Sequence, residues 1–317
     1  MSFEFGFDSP ESENLKLGIP YLGSKRCIAK QLVDFILKEN PNCKYVYDLF
    51  GGGGAMSFEF LQRPQIQKVV YNDLNTGVVN LLKHINEKGI TQEFYNWIDR
   101  ETFHKLKVGD DWKSGLVKTC WSFGNNQRDY LFSPENEKLK KPLHFAIVEK
   151  DPKYFEEFTR TTGLEIPSVL LDHDTINERR LKVMGFVKKN RGRIDFQRLE
   201  WLQRLQQLEQ LQRLQQLQQI QQLQQLQQLE LFNLSYKDIK IETPPNETIV
   251  YCDPPYKGTR GYQEKLCHDE FNLWVKSSPY KIYISEYDSP FNKVLEIEKR
   301  EALSKNRNKT LEVLYCN

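Results

Sequence analysis

The chain has 317 residues, of which 39% are hydrophobic and 28% are charged, which is the composition of a globular protein. The formal net charge is only +2, so any affinity for nucleic acid has to come from local clusters of basic residues. The six cysteines show no CxxC spacing and the five histidines show no HExxH spacing. This pattern favours reduced thiols in a cytosolic protein and argues against a structural metal site.

Nothing at the start of the chain indicates targeting to a membrane. Residues 1–8 are acidic and lack the basic region and the apolar core of a signal peptide. No apolar run approaches the length of a membrane span. The length allows two domains, or one domain with a large insertion.

The first predicted element is a turn with a basic tip, residues 20–26, followed by a helix over residues 28–37. The Gly-Ser-Lys sequence at the tip could cradle an anion, but it lacks the first glycine and the spacing of a P-loop. Read by itself, the tip is better explained as a solvated helix N-terminus.

A glycine-rich turn between a strand and a helix is the next feature. Residues 44–50 predict a strand, residues 51–54 are all glycine, and residues 55–61 predict a helix. In this arrangement the backbone approaches a ligand closely and its amides face the ligand. A lone glycine cluster is weak evidence, so the neighbouring strand decides how it is interpreted.

That neighbouring strand, residues 68–71, ends at Asn72-Asp73-Leu74-Asn75, about 20 residues beyond the glycines. An acid at this position commonly binds the ribose hydroxyls of an adenosine-containing cofactor. Together with the glycines, Asp73 predicts an adenosine site. The alternative role for Asp73 is to cap the following helix, and the two roles are compatible.

The segment from residue 81 to residue 198 is mixed, and within it residues 115–120 and 144–149 read as strands or short helices. Residues 121–128 place amides, an arginine and aromatic side chains in one short loop. Asn, Gln and Arg are the side chains that read base edges. A polar surface turn is the equal alternative. The candidates for DNA contact are Asn125, Asn126, Gln127 and Arg128.

A dense basic cluster follows in this nearly neutral protein. Such clusters are often solvated faces, but they contact phosphates when the ligand is DNA. Its candidate DNA-binding members are Arg179, Arg180, Lys188, Lys189, Arg191 and Arg193.

Residues 202–229 form a low-complexity repeat in which an aliphatic residue recurs at every third position and nearly all other residues are Gln. Leu and Gln are good helix formers, but each three-residue step falls about 60° short of a full helical turn. The apolar stripe therefore winds around the helix. We favour one long α-helix or a broken helical hairpin over a solenoid, and we interpret the segment as a spacer or a self-association surface.

Ordinary composition returns with a predicted strand over residues 231–236. A second predicted strand, residues 249–252, is apolar and ends on Asp253-Pro254-Pro255-Tyr256. The prolines stiffen the backbone, so a carboxylate, free carbonyl groups and an aromatic ring stand together at the end of a strand. This cluster suits a planar group with an exocyclic amine, although a plain strand-to-loop turn is the alternative. Cys252 lies within the strand and reads as a core residue.

The C-terminal part is expected to complete a sheet. Residues 271–276 predict a short helix and residues 280–285 a further strand. Residues 294–297 and 310–315 predict a closing antiparallel hairpin.

Taken in order, these segments resemble the D12 class of DNA adenine-N6 methyltransferases, the group that contains the Dam enzymes and many phage methylases. That family has a Lys-bearing glycine turn, a DxFxGxG loop, an NDxN acid, a long target-recognition insertion and then DPPY. Here the corresponding segments are residues 21–25, 48–53, 72–75, 81–230 and 253–256. The order across most of the chain is far more specific than any single motif.

The resemblance implies an α/β fold with a Rossmann-like class I methyltransferase sheet and a large, mainly helical target-recognition insertion. We expect the catalytic domain to be divided between residues 1–80 and 231–317, with the insertion at 81–200 and the repeat at 201–230. The implied cofactor is S-adenosylmethionine, with no metal. The implied cofactor-binding residues are Tyr21, Lys25, Asp48, Phe50, Gly51, Gly52, Gly53, Asp73 and Asp253.

The implied catalytic residues are Asp253, Pro254, Pro255 and Tyr256. Asp253 and the Pro254 carbonyl would accept the two N–H groups of the adenine amine, and Tyr256 would stack on a base flipped out of the duplex. The implied partner is double-stranded DNA in the cytoplasm of a bacterium or phage-infected cell, and a cognate restriction endonuclease is left open.

Two departures from the family pattern stand out. Ser24 replaces the usual second glycine of the Lys turn, which we expect to be harmless. Ser235-Tyr236 stands where the family often has Asp-Phe, which puts in doubt any contact made by that acid.

Other activities remain as alternatives. A cytosine-N4 methyltransferase uses the same amine chemistry but commonly has Ser in place of Asp253. RNA or protein-glutamine methylation fits the large basic insertion less well. From a different class, the chain could be an idle DNA-binding scaffold assembled through the repeat, whereas nothing in it resembles the second half of a dinucleotide dehydrogenase.

Overall fold

The computed structural model describes residues 17–21, 23–190, 208–221, 223, 227–256, 266–300 and 309–317. Within these ranges the chain forms ten α-helices and one seven-stranded sheet. The strands are β1 (Tyr45–Asp48), β2 (Lys68–Asn72), β3 (Leu229–Phe232), β4 (Thr248–Cys252), β5 (Lys281–Ser285), β6 (Asn292–Arg300) and β7 (Lys309–Cys316). The helices are α1 (Ala29–Glu39), α2 (Ala55–Leu61), α3 (Thr76–Lys88), α4 (Arg100–Leu106), α5 (Trp112–Cys120), α6 (Pro134–Glu149), α7 (Tyr154–Thr162), α8 (Ile176–Lys189), α9 (Glu209–Gln221) and α10 (His268–Ser277).

The sheet has the strand order β3-β2-β1-β4-β5-β7-β6. The first five strands of this order are parallel, and β7 runs antiparallel to both of its neighbours. The chain moves outward from β1 through β2 to β3 and then returns to β4 on the other side of β1. The strand order therefore reverses between β1 and β4, which is where open α/β sheets bind ligands. This arrangement confirms the predicted α/β fold with a Rossmann-like sheet.

The central strands are apolar on both sides because each side is covered. Val46 of β1 and Ile249 of β4 belong to the larger core cluster, which continues into the helical insertion. Their neighbours Tyr47 and Val250 belong to a second cluster on the opposite face, which includes Phe271 of α10. Strands buried on both faces are the rule in parallel sheets, and they explain the near-continuous apolar runs of the sequence.

The elements that the structure describes between α3 and β3 are helices joined by turns and loops, with one isolated β-bridge between Ser122 and Tyr130. Residues 115–120 lie in α5 and residues 144–149 end α6, so the helix interpretation is confirmed for both. Helix α5 packs closely on α3, because a Cβ placed on Gly115 would lie 2.0 Å from the carbonyl oxygen of Gly77. Helix α3 itself crosses the predicted domain boundary at residues 80–81.

Residues Glu209–Gln221 of the Leu-Gln repeat form an α-helix, α9. Its side chains at Leu211, Leu214 and Leu217 are buried in the larger core cluster of this same chain. The interpretation as a spacer or self-association surface is therefore wrong for this part of the repeat. Leu229, the last repeat position, belongs to β3 and pairs with Val69.

The C-terminal elements follow the predictions with one shift. The antiparallel hairpin is confirmed as β6 and β7, and the predicted helix is confirmed as α10. The strand predicted at residues 231–236 instead ends at Phe232, and Ser235 precedes a short 3-10 turn. None of the helices in the described ranges has the length and apolar character that a membrane crossing requires.

Candidate functional site

A cleft of about 420 Å³ lies beyond the carboxyl ends of β1 and β4, at the point where the strand order reverses. The register pairs Asp48 of β1 with Tyr251 of β4, so Asp253 follows two residues beyond the level of Asp48 at the same edge of the sheet. Among the residues that line the cleft are the predicted site residues Tyr21, Lys25, Asp48, Phe50, Gly51, Gly52, Gly53, Asp73, Asn125, Asn126, Gln127, Arg128, Asp253 and Pro255.

The glycine turn is held by backbone and side-chain hydrogen bonds. The amide of Gly51 donates to the carbonyl of Asn72 (2.8 Å), and the Tyr71 hydroxyl donates to the carbonyl of Gly52 (2.8 Å). Gly52 has a φ of +49°, a conformation that favours glycine. At Gly51 the reason for glycine is space, because an added Cβ would lie 2.1 Å from the ring of Tyr71.

We expect Gly51→Ala to lower the free energy of unfolding by about 1–3 kcal/mol, the usual cost of overpacking. The Tyr71 ring is fully buried and its hydroxyl is bonded to Gly52, so it cannot move aside easily. Urea unfolding followed by circular dichroism measures the change. Gly185→Ala in α8 is the matched control, since nothing lies within 4 Å of the added methyl group and alanine favours a helix. Equal stability of the two variants would contradict the prediction.

Asp48 has a buried carboxyl group, and only one of its two oxygens has a hydrogen-bond partner among the described residues. Its Oδ2 accepts a hydrogen bond from Ser57 (2.7 Å), whereas Oδ1 has no hydrogen-bond partner among the described residues. Burial raises the pKa of Asp48 to about 7, and the negative charges of Asp253 and Asp73 add to the effect, against the hydrogen bond from Ser57. A buried carboxylate oxygen with no partner is suited to a cationic or hydrogen-bond-donating ligand.

Asp73 organises the turn instead of capping the next helix. Its Oδ2 accepts the amide of Gly52 (2.8 Å) and its Oδ1 accepts the amide of Asn75 (2.8 Å). The cap of α3 is Asn75, whose side chain accepts from Val78, so the predicted alternative role of Asp73 as the N-cap is wrong. Each carboxylate oxygen keeps a further lone pair that can accept a ligand hydroxyl.

Four side chains from distant parts of the chain meet at the end of β4, and we call them the charge cluster: Lys25, Asp253, Tyr256 and Glu312. The ammonium group of Lys25 donates to both carboxylate oxygens of Asp253 (2.7 Å each) and to the Tyr256 hydroxyl (2.8 Å). That hydroxyl donates to Oε1 of Glu312 (2.7 Å), which lies 3.2 Å from the Lys25 nitrogen. The cluster fixes the Asp253 carboxylate and the Tyr256 ring relative to each other.

The cluster contains two acids and one base in a buried setting. Burial alone would lower the pKa of Lys25, but Asp253 and Glu312 outweigh it and the pKa is raised. Burial raises the pKa of Asp253 and the charge of Glu312 adds to this, while the nearby Lys25 ammonium opposes both. Lys25 is therefore held in its charged form, and it offsets only one of the two acids.

Glu312 is the member of this cluster that the sequence did not reveal. It lies on β7, is buried, and stands among apolar neighbours such as Val313 and Leu314. The available signal was an acidic residue within a strand that is otherwise largely apolar. Its partners lie at the other end of the chain and next to the DPPY motif, and no local pattern indicates that pairing.

The first chain segments that line this cleft also match a known protein family. Residues 21–114 match the family model of the D12 class N6 adenine-specific DNA methyltransferases. The resemblance is thereby confirmed over this stretch, which carries Lys25, the glycine turn and Asp73, and DNA methylation is the class of activity that it supports. No protein in a search of curated proteins matches the chain.

The D12 match ends before the DPPY segment, which the fold brings to the same cleft. Residues 253–256 follow β4, and the Tyr256 ring packs edge-on against Tyr287 with their centroids 4.6 Å apart. Pro255 lines the cleft, whereas Pro254 is buried. The ring of Tyr236 packs against that of Phe50, with their centroids 5.4 Å apart.

The loop at residues 123–128, which we call the cleft loop, forms a further wall of the cleft. Its base is closed by the amide of Phe123, which donates to the carbonyl of Asp129 (2.8 Å). Oε1 of Gln127 accepts from the side chain of Asn75 (2.8 Å), so the loop is tied to the end of β2. The loop thus lines the cleft while Phe123, Gly124 and Arg128 stay exposed, and Trp121, predicted to belong to it, is instead a buried core residue after α5.

The basic cluster is divided by the structure. Arg179 is buried and its guanidinium donates to the carbonyls of Ile147 (2.7 Å) and His173 (2.8 Å). Arg180 is also buried and donates to the side chain of Asn177 (2.9 Å). The prediction that these two arginines contact phosphates is contradicted by their burial and their internal partners. Exposed Lys188 and Lys189 end α8, and the predicted members Arg191 and Arg193 lie outside the described residues.

Proposed function

We propose that this chain transfers a methyl group from S-adenosylmethionine to the N6 amine of adenine in duplex DNA. The observation that carries the proposal is the meeting of two half-sites in one cleft. One half consists of the glycine turn with Asp48 and Asp73, and the other half is the charge cluster with the DPPY segment. A cofactor site beside a base site is what methyl transfer between two bound molecules requires.

The residues of the first half fit the cofactor. The tight glycine turn lets the backbone approach the ligand, and Asp73 can accept from ribose hydroxyls, the role such an acid has in related sheets. The unpartnered Oδ1 of Asp48 can interact with the cationic methionine end. When bound, the cofactor supplies an activated methyl group on a positively charged sulfur.

The second half suits the target base. Asp253 can accept one N–H of the adenine amine and the carbonyl of Pro254 can accept the other, which draws the nitrogen lone pair out of the ring. The Tyr256 ring can stack on the base, a contact worth about 1–3 kcal/mol in other systems. In the transfer the amine nitrogen would bond to the methyl carbon as the methyl–sulfur bond breaks, so the positive charge would pass from sulfur to nitrogen until the nitrogen releases a proton to water. The Asp253 carboxylate, held beside the amine by two hydrogen bonds from Lys25, would stabilise that charge.

Adenine in a duplex cannot reach such a recessed site unless it is flipped out of the stack. The cleft loop places amide groups and Arg128 beside the cleft, and such side chains read bases by hydrogen bonds. Exposed Lys188 and Lys189 are the remaining described candidates for phosphate contact. Because its substrate would be DNA, we propose that the enzyme acts in the cytoplasm of a bacterial or phage-infected cell.

The test is to identify the methylated nucleoside. Purified protein is incubated with methyl-labelled cofactor and either duplex DNA or RNA, and the nucleic acid is digested and separated by chromatography. We expect label only in N6-methyladenine from duplex DNA. Label in N4-methylcytosine or in RNA would replace the proposal with one of those activities. Cofactor binding without transfer to any substrate would favour an idle scaffold.

We expect the affinity for the cofactor to depend on pH through Asp48. The pKa of Asp48 is raised to about 7, so its carboxyl group is largely protonated below that pH. A cationic ligand favours the ionised form, and binding should therefore strengthen from roughly pH 6 to pH 8 and release a proton at the lower end. Calorimetry in two buffers of different ionisation enthalpy measures that proton.

Ser57→Ala is the control for this pH dependence. The hydrogen bond from Ser57 lowers the pKa of Asp48, so its loss should move the binding midpoint to higher pH. An affinity that does not change with pH, with no proton released, would contradict the role of Asp48.

A further inference from the structure

The buried stripe of α9 winds around the helix because the helix is enclosed on several sides. The apolar side chains at Leu208, Leu211, Leu214, Leu217 and Ile220 are all buried. Helices α3, α5 and α8 all contact α9, and Gln221 is the only exposed residue in the range 208–221. A period of three suits such a position, since each step turns the next apolar residue by about 60° towards a different neighbour.

Arg213 interrupts the Gln pattern of α9 and has a specific set of partners. Its Nη1 donates to the carbonyls of Ser122 (2.8 Å) and Cys120 (3.2 Å), and more weakly to that of Thr119 (3.4 Å). These carbonyls lie at the C-terminal end of α5, where helix carbonyls lack partners within the helix and the helix dipole is negative. The side chain is only 12% exposed, so the contact is shielded from water.

The carbonyl that Arg213 binds most closely belongs to the residue that leads into the cleft loop. Ser122 directly precedes Phe123, and the far side of the loop is tied back by the amide of Leu131, which donates to the carbonyl of Trp121 (2.9 Å). The same helix also contacts the turn that carries Lys25, another residue of the cleft lining. Gln216 accepts from the guanidinium of Arg26 (2.9 Å), the residue after Lys25.

We propose that Arg213 is a positioning residue that fixes the cleft loop over the methyltransferase cleft, and that the repeat helix joins the loop to the Lys25 turn. Moving the repeat by one three-residue unit would keep leucines at the buried positions. It would, however, shift Arg213 by about 4.5 Å along the helix and rotate it by about 60°. The polar contacts therefore define the register that the leucines leave undefined.

The test compares Arg213→Gln with the wild type by hydrogen exchange and mass spectrometry of peptic fragments. Glutamine matches the rest of the repeat and preserves the helix, but it cannot donate to three carbonyls. We expect amide exchange in residues 121–131 to increase by about tenfold, with exchange in β1 and β4 unchanged. The matched control is Gln218→Ala, which lies in the same helix and leaves all of its leucines in place. This variant should show wild-type exchange.

Two outcomes would overturn the proposal. Unchanged exchange in residues 121–131 would show that Arg213 does not hold the loop, and a uniform increase throughout the chain would show only a general loss of stability. Should Arg213→Gln not fold, Arg213→Lys retains the charge and should give an intermediate increase confined to the same residues.

The effect of Arg213 on methyl transfer rests on the proposed function, and it is measured in a separate experiment. We expect Arg213→Gln to raise KM for duplex DNA more than it changes kcat, and Arg213→Lys to recover part of the loss. Equal KM values for the variant and the wild type would contradict the catalytic part. If no methyl transfer occurs at all, the exchange experiment still decides whether Arg213 positions the loop.

Discussion

Replacing Asp253 with alanine is expected to reduce methyl transfer by about 10²–10³-fold or more, while cofactor binding stays within a few-fold of the wild type. The Asp253 carboxylate is the acceptor at the end of β4, and it is oriented by two hydrogen bonds from Lys25. Without it, the adenine amine loses an acceptor and the developing positive charge loses its nearest stabilising group. Single-turnover kinetics with labelled cofactor measure the transfer step, and calorimetry measures cofactor affinity.

Two further variants sharpen this test. Asp253→Asn keeps the shape and one acceptor oxygen but removes the charge, so it should retain more activity than the alanine variant and much less than the wild type. Asp172→Ala removes an exposed acid in the insertion and should leave transfer unchanged. Wild-type activity in Asp253→Ala would reject the proposed adenine site. Loss of cofactor binding in that variant would place Asp253 in the cofactor site as well.

The parts of the fold that the sequence predicted are those in which the signal is local. The glycine turn, Asp73 and the DPPY segment each follow an apolar strand, and the ends of parallel strands converge at one edge of a sheet. The hairpin of β6 and β7 is likewise formed by neighbouring segments. In each case a short run of residues carries both the element and its chemistry.

What the sequence did not predict depends on contacts between distant segments. Glu312 meets Lys25 only because β7 inserts between β5 and β6, which no local pattern indicates. Arg179 and Arg180 belong to a sequence as basic as any DNA-binding surface, yet α8 turns both guanidinium groups inward to internal acceptors. The Leu-Gln repeat indicated a helix correctly over residues 209–221, but its uniform composition concealed that Arg213 has specific partners.

Lys25→Met is expected to lower both stability and activity, because it leaves the buried Glu312 and the partly buried Asp253 without a counter-charge. Removing one partner of a buried ion pair typically costs ~3–5 kcal/mol. Lys25 is only 5% exposed, so water cannot compensate for its loss. Urea unfolding at neutral pH measures the loss of stability. Lys44→Met is the matched control, since the pair of Lys44 with Glu247 is much more exposed and should contribute little.

The pH dependence of this loss identifies its cause. With Lys25 absent, the two acids repel each other, and one of them should hold a proton in the folded protein at a pH well above its unfolded pKa of about 4. The folded state then binds more protons than the unfolded state, so the stability of the variant should rise as the pH falls from neutrality towards that value. The deficit relative to the wild type should therefore be largest at neutral pH.

A second substitution tests whether Glu312 causes this repulsion. Adding Glu312→Gln to Lys25→Met removes one of the two charges and keeps an acceptor for the Tyr256 hydroxyl. The double variant should regain part of the stability at neutral pH and lose the part of the pH dependence that comes from repulsion between the two acids, while burial still raises the pKa of Asp253 and keeps the remainder. A double variant that is less stable than Lys25→Met and has the same pH dependence would contradict this. It would show that repulsion between Glu312 and Asp253 does not cause the loss of stability.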